Sequence, residues 1–366
     1  MSASGPHATT CGAATPDACA ARFGRMCEVF DAVRKRHADH VRVADYRFGG
    51  RPVRIQVAGA ALSDRVARAF AHLAAAPPES AAPALRIDVW DEEATGVACP
   101  LTGPEQCAAA HVWSVDHGVF TASEDGSCIG FCCDGAFTMF DRRRHRIVGC
   151  RPSAGRLSRA ELSKPFRILL SVWYHDNDIH MFHAGLVARD GLGVLIPGRE
   201  RTGKSTVALS CVNAGMDYAG DDFVGLRRRA DGTFVGHSMY GSACVALEHL
   251  ARFPGLEPHA LEDKAVLYVS DLYADRMKAS VRIAALALPC IVDTERSRVR
   301  PARRPDVLLR LAPSTLMYVI PRPERQLMRL MRELVERTPC FVLELGSDLA
   351  SIPVCMADIL DRAASS

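Results

Sequence analysis

The residues Gly198-Arg199-Glu200-Arg201-Thr202-Gly203-Lys204-Ser205-Thr206 follow the spacing G-x-x-x-x-G-K-[ST] without a mismatch. Glycines at 198 and 203 let successive backbone amides turn inward around an anion. The helix expected next presents its positive end to the same point. Lys204 can reach β- and γ-phosphate oxygens as a mobile point charge, and the Ser205 hydroxyl suits a Mg²⁺ that bridges them. ATP and Mg²⁺ are therefore the expected ligands, with Arg199, Glu200, Arg201, Thr202 and Thr206 completing the nucleotide loop. Lysine is scarce here: Lys35, Lys164, Lys204, Lys264 and Lys278 are the only five among 45 basic residues. A lysine in this one place carries weight.

The flanking residues supply strand, loop and helix in the required order. Gly185–Ala188 and Gly193–Pro197 are apolar runs joined by Arg189-Asp190-Gly191, a hairpin signal. After the loop, Val207, Ala208, Cys211 and Val212 recur at helical spacing, and Asn213-Ala214-Gly215 gives a glycine stop. The next apolar run, Met216–Ala219, ends in Gly220-Asp221-Asp222. Carboxylates at the carboxyl end of a strand face the loop of its neighbour. One of the pair can accept the proton of an attacking hydroxyl while the other assists the metal. An acidic turn without a ligand is the competing reading. His183, at the start of the hairpin, gains interest only from this company.

The order His183-Ala-Gly-Leu-Val, Asp-Gly hairpin, Gly198–Thr206, short helix and Gly220-Asp221-Asp222 resembles HPr kinase/phosphorylase. More closely, it resembles the HPr-kinase-like proteins, some of which phosphorylate serine on ribosomal peptides such as lasso peptide precursors. The likeness is specific over residues 183–226. It weakens through Asp263-Lys264, Leu288-Pro289, Pro313-Ser314-Thr315-Leu316 and Pro339-Cys340 to Leu345, and it does not extend into the first 150 residues. The resemblance implies a loop that binds ATP, or pyrophosphate in bifunctional members. It implies Asp221 as general base, Asp222 beside the metal with Ser205, and His183 next to the reaction centre. Lys204 and Ser205 fall on the phosphate and Mg²⁺ roles. Two departures stand out. Arg199-Glu200-Arg201-Thr202 replaces the small residues common in this loop, and the downstream signature of the bifunctional enzymes is not found. The missing signature counts against phosphorolysis and against HPr itself, and leaves the use of pyrophosphate open. Lys264 and Arg276 lie where related sequences carry basic residues, as contacts to phosphates or acceptor; solvated surface charge is the other reading.

These residues need elements to hold them. The expected fold class is α/β, a P-loop kinase core of the HPr kinase type over 166–366 behind a strand-rich N-terminal α+β domain. Residues 1–25, small, polar and interrupted by proline, read as a disordered leader. Residues 26–155 read as the strand-rich domain, given the task of acceptor recognition. Val41–Tyr46, Val53–Val57 and Leu85–Trp90 have strand character, with Gly49-Gly50 as a turn. Asp88, Asp91, Glu92 and Glu93 read as a solvated acidic loop. Glu324–Arg337 is a strongly amphipathic helix.

Composition narrows the classes. Hydrophobic residues at 48% and charged residues at 24% exclude a mostly disordered chain, and 366 residues suit two domains. No apolar run reaches the roughly 18 residues of a membrane span. With 45 basic against 42 acidic residues the net charge is +3, so neither nucleic acid nor membrane is an expected partner. The first 25 residues lack the apolar core of a secretory signal, and 14 cysteines spread from Cys11 to Cys355 read as reduced thiols of a cytoplasmic protein. Cys128, Cys132 and Cys133 would need a second ligand pair to hold zinc, and Cys99, Cys107 and His111 follow no finger spacing. The expected function is γ-phosphoryl transfer from ATP to a hydroxyl, a serine of a peptide or small protein. A small-molecule hydroxyl kinase and an ATP-hydrolysing switch are the alternatives, and a homo-oligomer is left open.

Overall fold

A computed structural model describes residues 16–77, 82–115, 118–261, 264–316 and 324–365. The chain divides into two units. One holds the described residues up to Arg68 with Leu73–Trp173, and the other holds Ala69–His72 with the residues from Tyr174 onward.

The first unit is an eight-stranded sheet. Its strand order is Val41–Phe48, Arg51–Ala58, Leu85–Asp91, Arg146–Arg151, Ala136–Asp141, Cys128–Cys133, Gly118–Ala122, His111–Val115. Gly49 and Gly50 both take positive φ and close the first hairpin as expected. Arg51–Ala58, Leu85–Asp91 and Arg146–Arg151 run parallel, and the other pairings are antiparallel.

Helix Pro16–Arg36 packs on this sheet, which corrects the expectation of a disordered leader through residue 25. Pro16 starts the helix rather than breaking it, because its missing N–H is not needed in the first turn. Cys19, Phe23, Met26, Phe30 and Val33 then recur every three or four residues, all buried. Residues 1–15 lie outside the described residues.

The acidic stretch is not a solvated loop either. Asp88 is fully buried and accepts hydrogen bonds from Arg86 at 2.8 Å and Arg146 at 2.7 Å. Burial pushes its pKa up, and the two guanidinium groups push it back. Asp91 accepts from the backbone amides of Ala94 at 3.0 Å and Ala154 at 2.8 Å, capping the short helix Glu92–Thr95. The boundary between units also falls later than residue 166. Helix Arg167–His175 buries Ile168, Leu169, Val172 and Trp173, belongs to the first unit through Trp173, and sets Trp173 edge-on to Phe48 at 6.5 Å.

The second unit is built on strand His180–Arg189. It pairs with Leu192–Pro197 on one side and with both Asp217–Gly220 and Phe223–Arg228 on the other. The sheet continues through Phe234–Ser238, Ser280–Ile291, Cys340–Leu345 and Arg298–Pro301. Leu192–Pro197 also pairs with Ser280–Ile291, so Arg282 faces Leu192 on one side and Val235 on the other. Five strands thus close into a ring with no free edge at that point. Ser242–Ala246, Lys264–Tyr268 and Pro258–Leu261 form a separate small sheet.

Alternate residues of the central strand serve two cores. Val187 joins Val194, Ile196, Val207, Cys211 and Met356, which belong to the hairpin and to helices Lys204–Asn213 and Ser351–Ala364. Phe182, Ala184 and Leu186 join helices Arg304–Leu316 and Glu324–Arg337, the latter burying Leu327, Leu330, Met331, Leu334 and Val335 as its periodicity predicts. No helix among the described residues is long and apolar enough to cross a membrane.

Leu186 is fully buried where the ring closes, against the bare backbones of Gly193 and Gly236. Leu186→Ala is expected to lower stability by about 2–5 kcal/mol, read as a lower urea midpoint. His180 and His237 are each 7% exposed, and burial draws both pKa values from 6.5 to about 4. His175 adds to the lowering at His180 and Asp178 opposes it; Arg227 and Arg229 add to it at His237. Unfolded imidazoles take up protons first, so stability is full above pH 6.5 and falls as the pH drops toward about 4. The loss is at most about 1.4 kcal/mol per pH unit for each histidine. Unfolding midpoints measured across that window should fall less steeply in His237→Gln.

Candidate functional site

The hairpin that launches the loop forms for a local reason. Asp190 and Gly191 take φ values of 54° and 77°, the two positive angles of a tight turn matched to strand twist, and Arg189 faces Leu192 across it. Pro197 ends the second strand opposite Ala184. In the loop that follows, positive φ occurs at Arg201 (61°) and Gly203 (96°), with Thr202 between them in the ordinary region. Such alternation gathers neighbouring amides into a concavity that suits an anion.

Gly198 has a different use from the one expected of it, because its φ is not positive. A Cβ there would sit 2.5 Å from Thr202 Oγ1, so the loop folds directly over its backbone. Gly203 caps helix Lys204–Asn213, and a Cβ on it would meet Leu345 Cδ1 at 2.6 Å. The first helical bond runs from the Val207 amide to the Gly203 carbonyl at 2.9 Å. The amides of Lys204, Ser205 and Thr206 precede it, at the positive end of the helix.

Lys204 is 4% exposed and folds beneath the loop. Its Nζ donates to the Gly198 carbonyl at 3.0 Å and the Arg199 carbonyl at 2.9 Å. Burial lowers its pKa from 10.5; Asp222, Asp221 and Glu200 act in the opposite direction, and Lys264 adds to the lowering. Thr202 Oγ1 donates to the Arg199 carbonyl at 2.8 Å. Glu200 reaches Lys264 Nζ at 3.3 Å, which brings Lys264 to the loop.

The aspartate pair occupies a strained turn. The Phe223 amide donates to the Asp221 carbonyl at 2.8 Å across Asp222, whose φ is +64°. A three-residue turn with a positive central φ is rare for a residue with a side chain. The Ala184 amide donates to the Asp222 carbonyl at 3.0 Å and pins the turn to the central strand. The two carboxylates are thereby separated: Asp221 is 1% exposed, while the Asp222 side chain is 23% exposed. Asp222 Oδ1 lies 3.6 Å from His183 Nε2, and the His183 ring packs on Phe223 with centroids 5.4 Å apart. The His183 amide donates to Thr315 Oγ1 at 3.4 Å.

Lys204, Asp221, Asp222, Glu200 and Lys264 therefore share one electrostatic environment, and His183 joins through Asp222. Arg276 does not join them. It donates to the Gly215 carbonyl at 3.0 Å, beyond the far end of the helix that Lys204 begins, and pairs with Asp275 at 3.3 Å. That end is roughly 15 Å from the loop at 1.5 Å per helical residue. Asp263 lies outside the described residues. Ser205, the residue after Lys204, and Asp222 are both partly exposed and carry the hard oxygen donors that Mg²⁺ takes. Thr315 is the residue whose contact the sequence does not disclose; a buried hydroxyl near the end of a mixed polar and apolar helix gives no sign of what it touches.

No family model matches the chain. A 74-residue stretch is 40% identical to "HPr kinase/phosphorylase" of Geobacillus sp. (strain WCH70) and of Geobacillus kaustophilus (strain HTA426), and 39% identical to that of Geobacillus thermodenitrificans (strain NG80-2). The match covers 20% of this chain and 22% of each relative, so the chain spans about a fifth of their length. These relatives bear out the resemblance to HPr kinase/phosphorylases. Among solved structures, the Hpr(Ser) kinase/phosphatase from Coxiella burnetii is similar at 14% identity, over 51% of this chain and 96% of that one, with a TM-score of 0.29.

Calorimetric titration with ATP checks the grouping. Lys204→Ala is expected to weaken binding about tenfold or more, since it removes a charged donor. Arg276→Ala should leave affinity within about twofold, as its guanidinium is engaged elsewhere.

Proposed function

We propose that this chain is an ATP-dependent phosphotransferase of the P-loop kinase type, which moves the γ-phosphoryl group to the hydroxyl of a serine in a peptide or small protein. The observation that carries the reading is the meeting of two features borne by strands on either side of His180–Arg189. A loop that closes over Lys204 through two of its carbonyls stands beside a strained turn that offers two carboxylates in different environments. The likeness to HPr kinase/phosphorylases supports the reaction class, and the HPr-kinase-like resemblance supports the peptide acceptor. The first unit is assigned acceptor recognition.

On nucleotide entry the Lys204 ammonium exchanges the carbonyls of Gly198 and Arg199 for β- and γ-phosphate oxygens. The amides at the start of helix Lys204–Asn213 hold the same oxygens. Asp221 takes the proton of the acceptor hydroxyl as its oxygen bonds to the γ-phosphorus and the bond to the β-phosphate oxygen breaks, releasing ADP. Ser205 and Asp222 would hold Mg²⁺, which would neutralise part of the phosphate charge. His183, set between Asp222 and Phe223, orients the Asp222 carboxylate.

Incubation of a lysate with γ-labelled ATP separates the readings. Label on a polypeptide supports the proposal, and label on a small molecule moves the acceptor to a metabolite. Phosphate release alone, unchanged in Asp221→Asn, removes the kinase reading in favour of an ATP-hydrolysing switch. Asp221→Asn is expected to slow transfer about 10²- to 10⁴-fold while ATP binding persists. Asp222→Asn should instead raise the Mg²⁺ concentration needed for half-maximal rate.

A further inference from the structure

The chemistry proposed above leaves the thiols of the first unit unused. Cys128, Cys132 and Cys133, adjacent in sequence, are divided by their strand. Cys128 lies against the Cys19 carbonyl at 4.0 Å, Cys132 reaches Gln106 Oε1 at 3.3 Å, and Cys133 reaches Asp134. A different trio comes together. The sulfurs of Cys99 and Cys150 and a carboxylate oxygen of Glu92 all lie within 4.8 Å of one another.

We propose that Cys99, Cys150 and Glu92 form a Zn²⁺ site, with water as the fourth ligand. Tetrahedral zinc, with bonds of about 2.3 Å to sulfur and about 2.0–2.2 Å to oxygen, holds its donors roughly 3.5–3.8 Å apart. Three donors already confined within 4.8 Å reach that spacing by small side-chain adjustments. Two thiolates select a soft or borderline ion over Mg²⁺ or Ca²⁺, and the added carboxylate suits zinc.

The surroundings are those of a held site. Glu92 follows strand Leu85–Asp91, and Cys150 stands near the end of its parallel neighbour, paired with Trp90. Ligands of α/β sheets gather at such carboxyl ends. The Cys99 amide donates to Glu92 Oε1 at 3.0 Å, joining two of the ligands. Gln106 Nε2 donates to Cys99 Sγ at 3.5 Å and to the Leu101 carbonyl at 3.1 Å, and Trp90 Nε1 holds the Val97 carbonyl at 2.8 Å. Outer contacts of this kind orient metal ligands. Cys150 is fully buried while Cys99 and Glu92 are half-buried, so the site has an anchored side and an open one.

The test is anaerobic titration of the reduced full-length chain with Co²⁺, followed by displacement with Zn²⁺. The proposal expects one equivalent of Co²⁺, a near-ultraviolet thiolate-to-cobalt band of two-thiolate intensity, and loss of the band on adding one equivalent of Zn²⁺. Cys99→Ser and Cys150→Ser should each cut the band, Glu92→Gln should weaken the metal at least roughly tenfold, and Cys133→Ser should change nothing. Absence of the band, or its survival in both Cys99→Ser and Cys150→Ser, overturns the site. If the buried Cys150 variant does not fold, the unaltered protein still decides the matter. One equivalent of Zn²⁺ should shield Cys99 from maleimide in a peptide map, and full alkylation of Cys99 under zinc overturns the proposal.

Discussion

The hydrogen-bond register of one strand, His180–Arg189, holds the candidate site together. Ala184 stands opposite Pro197, the last residue before the loop, while its own amide bonds the Asp222 carbonyl and its neighbour His183 faces Phe223. The loop and the aspartate turn are thus measured from adjacent residues of a single chain segment. A slip of one residue would turn Val187 and Leu186 toward the wrong cores and carry loop and turn out of step. Closure of the five-stranded ring opposes such a slip, because Leu192–Pro197 is tied on its other side as well.

That rigidity lets the site contain two unfavourable elements. Lys204 is removed from water, and Asp222 is held at positive φ. The ammonium is offset by two carbonyls and the field of nearby carboxylates, the turn by bonds to Phe223 and Ala184. Both lie in the site proposed for phosphate binding and proton transfer.

Local signals were the legible part of the sequence. The Asp190-Gly191 turn, the glycine-capped helix and the Leu327–Val335 stripe each depend on residues a few positions apart, and each formed as read. What was hidden depends on distant partners. Pro16 reads as a breaker until its helix has a sheet to cover, and Asp88 reads as solvated because Arg146, the second of its two partners, lies 58 residues along the chain. Sequence position offers Arg276 either to the phosphates and acceptor or to solvent, and the length of helix Lys204–Asn213 sets it at the other end. The motif marks Gly198 as a matter of backbone freedom, whereas the structure uses it to leave room for Thr202.

Ala69–His72 is counted with the second unit although the chain on both sides of it builds the first. The Ala69 carbonyl accepts from the Gly241 amide at 2.8 Å, Phe70 packs on Tyr240 with rings 5.5 Å apart, and His72 Nε2 meets Ser238 Oγ at 2.7 Å. On the ribosome, those partners emerge about 70 residues after Trp173 completes the first unit, on the order of ten seconds later. A buried phenylalanine therefore waits without its pocket during synthesis, and no single cut in the gene yields both units whole.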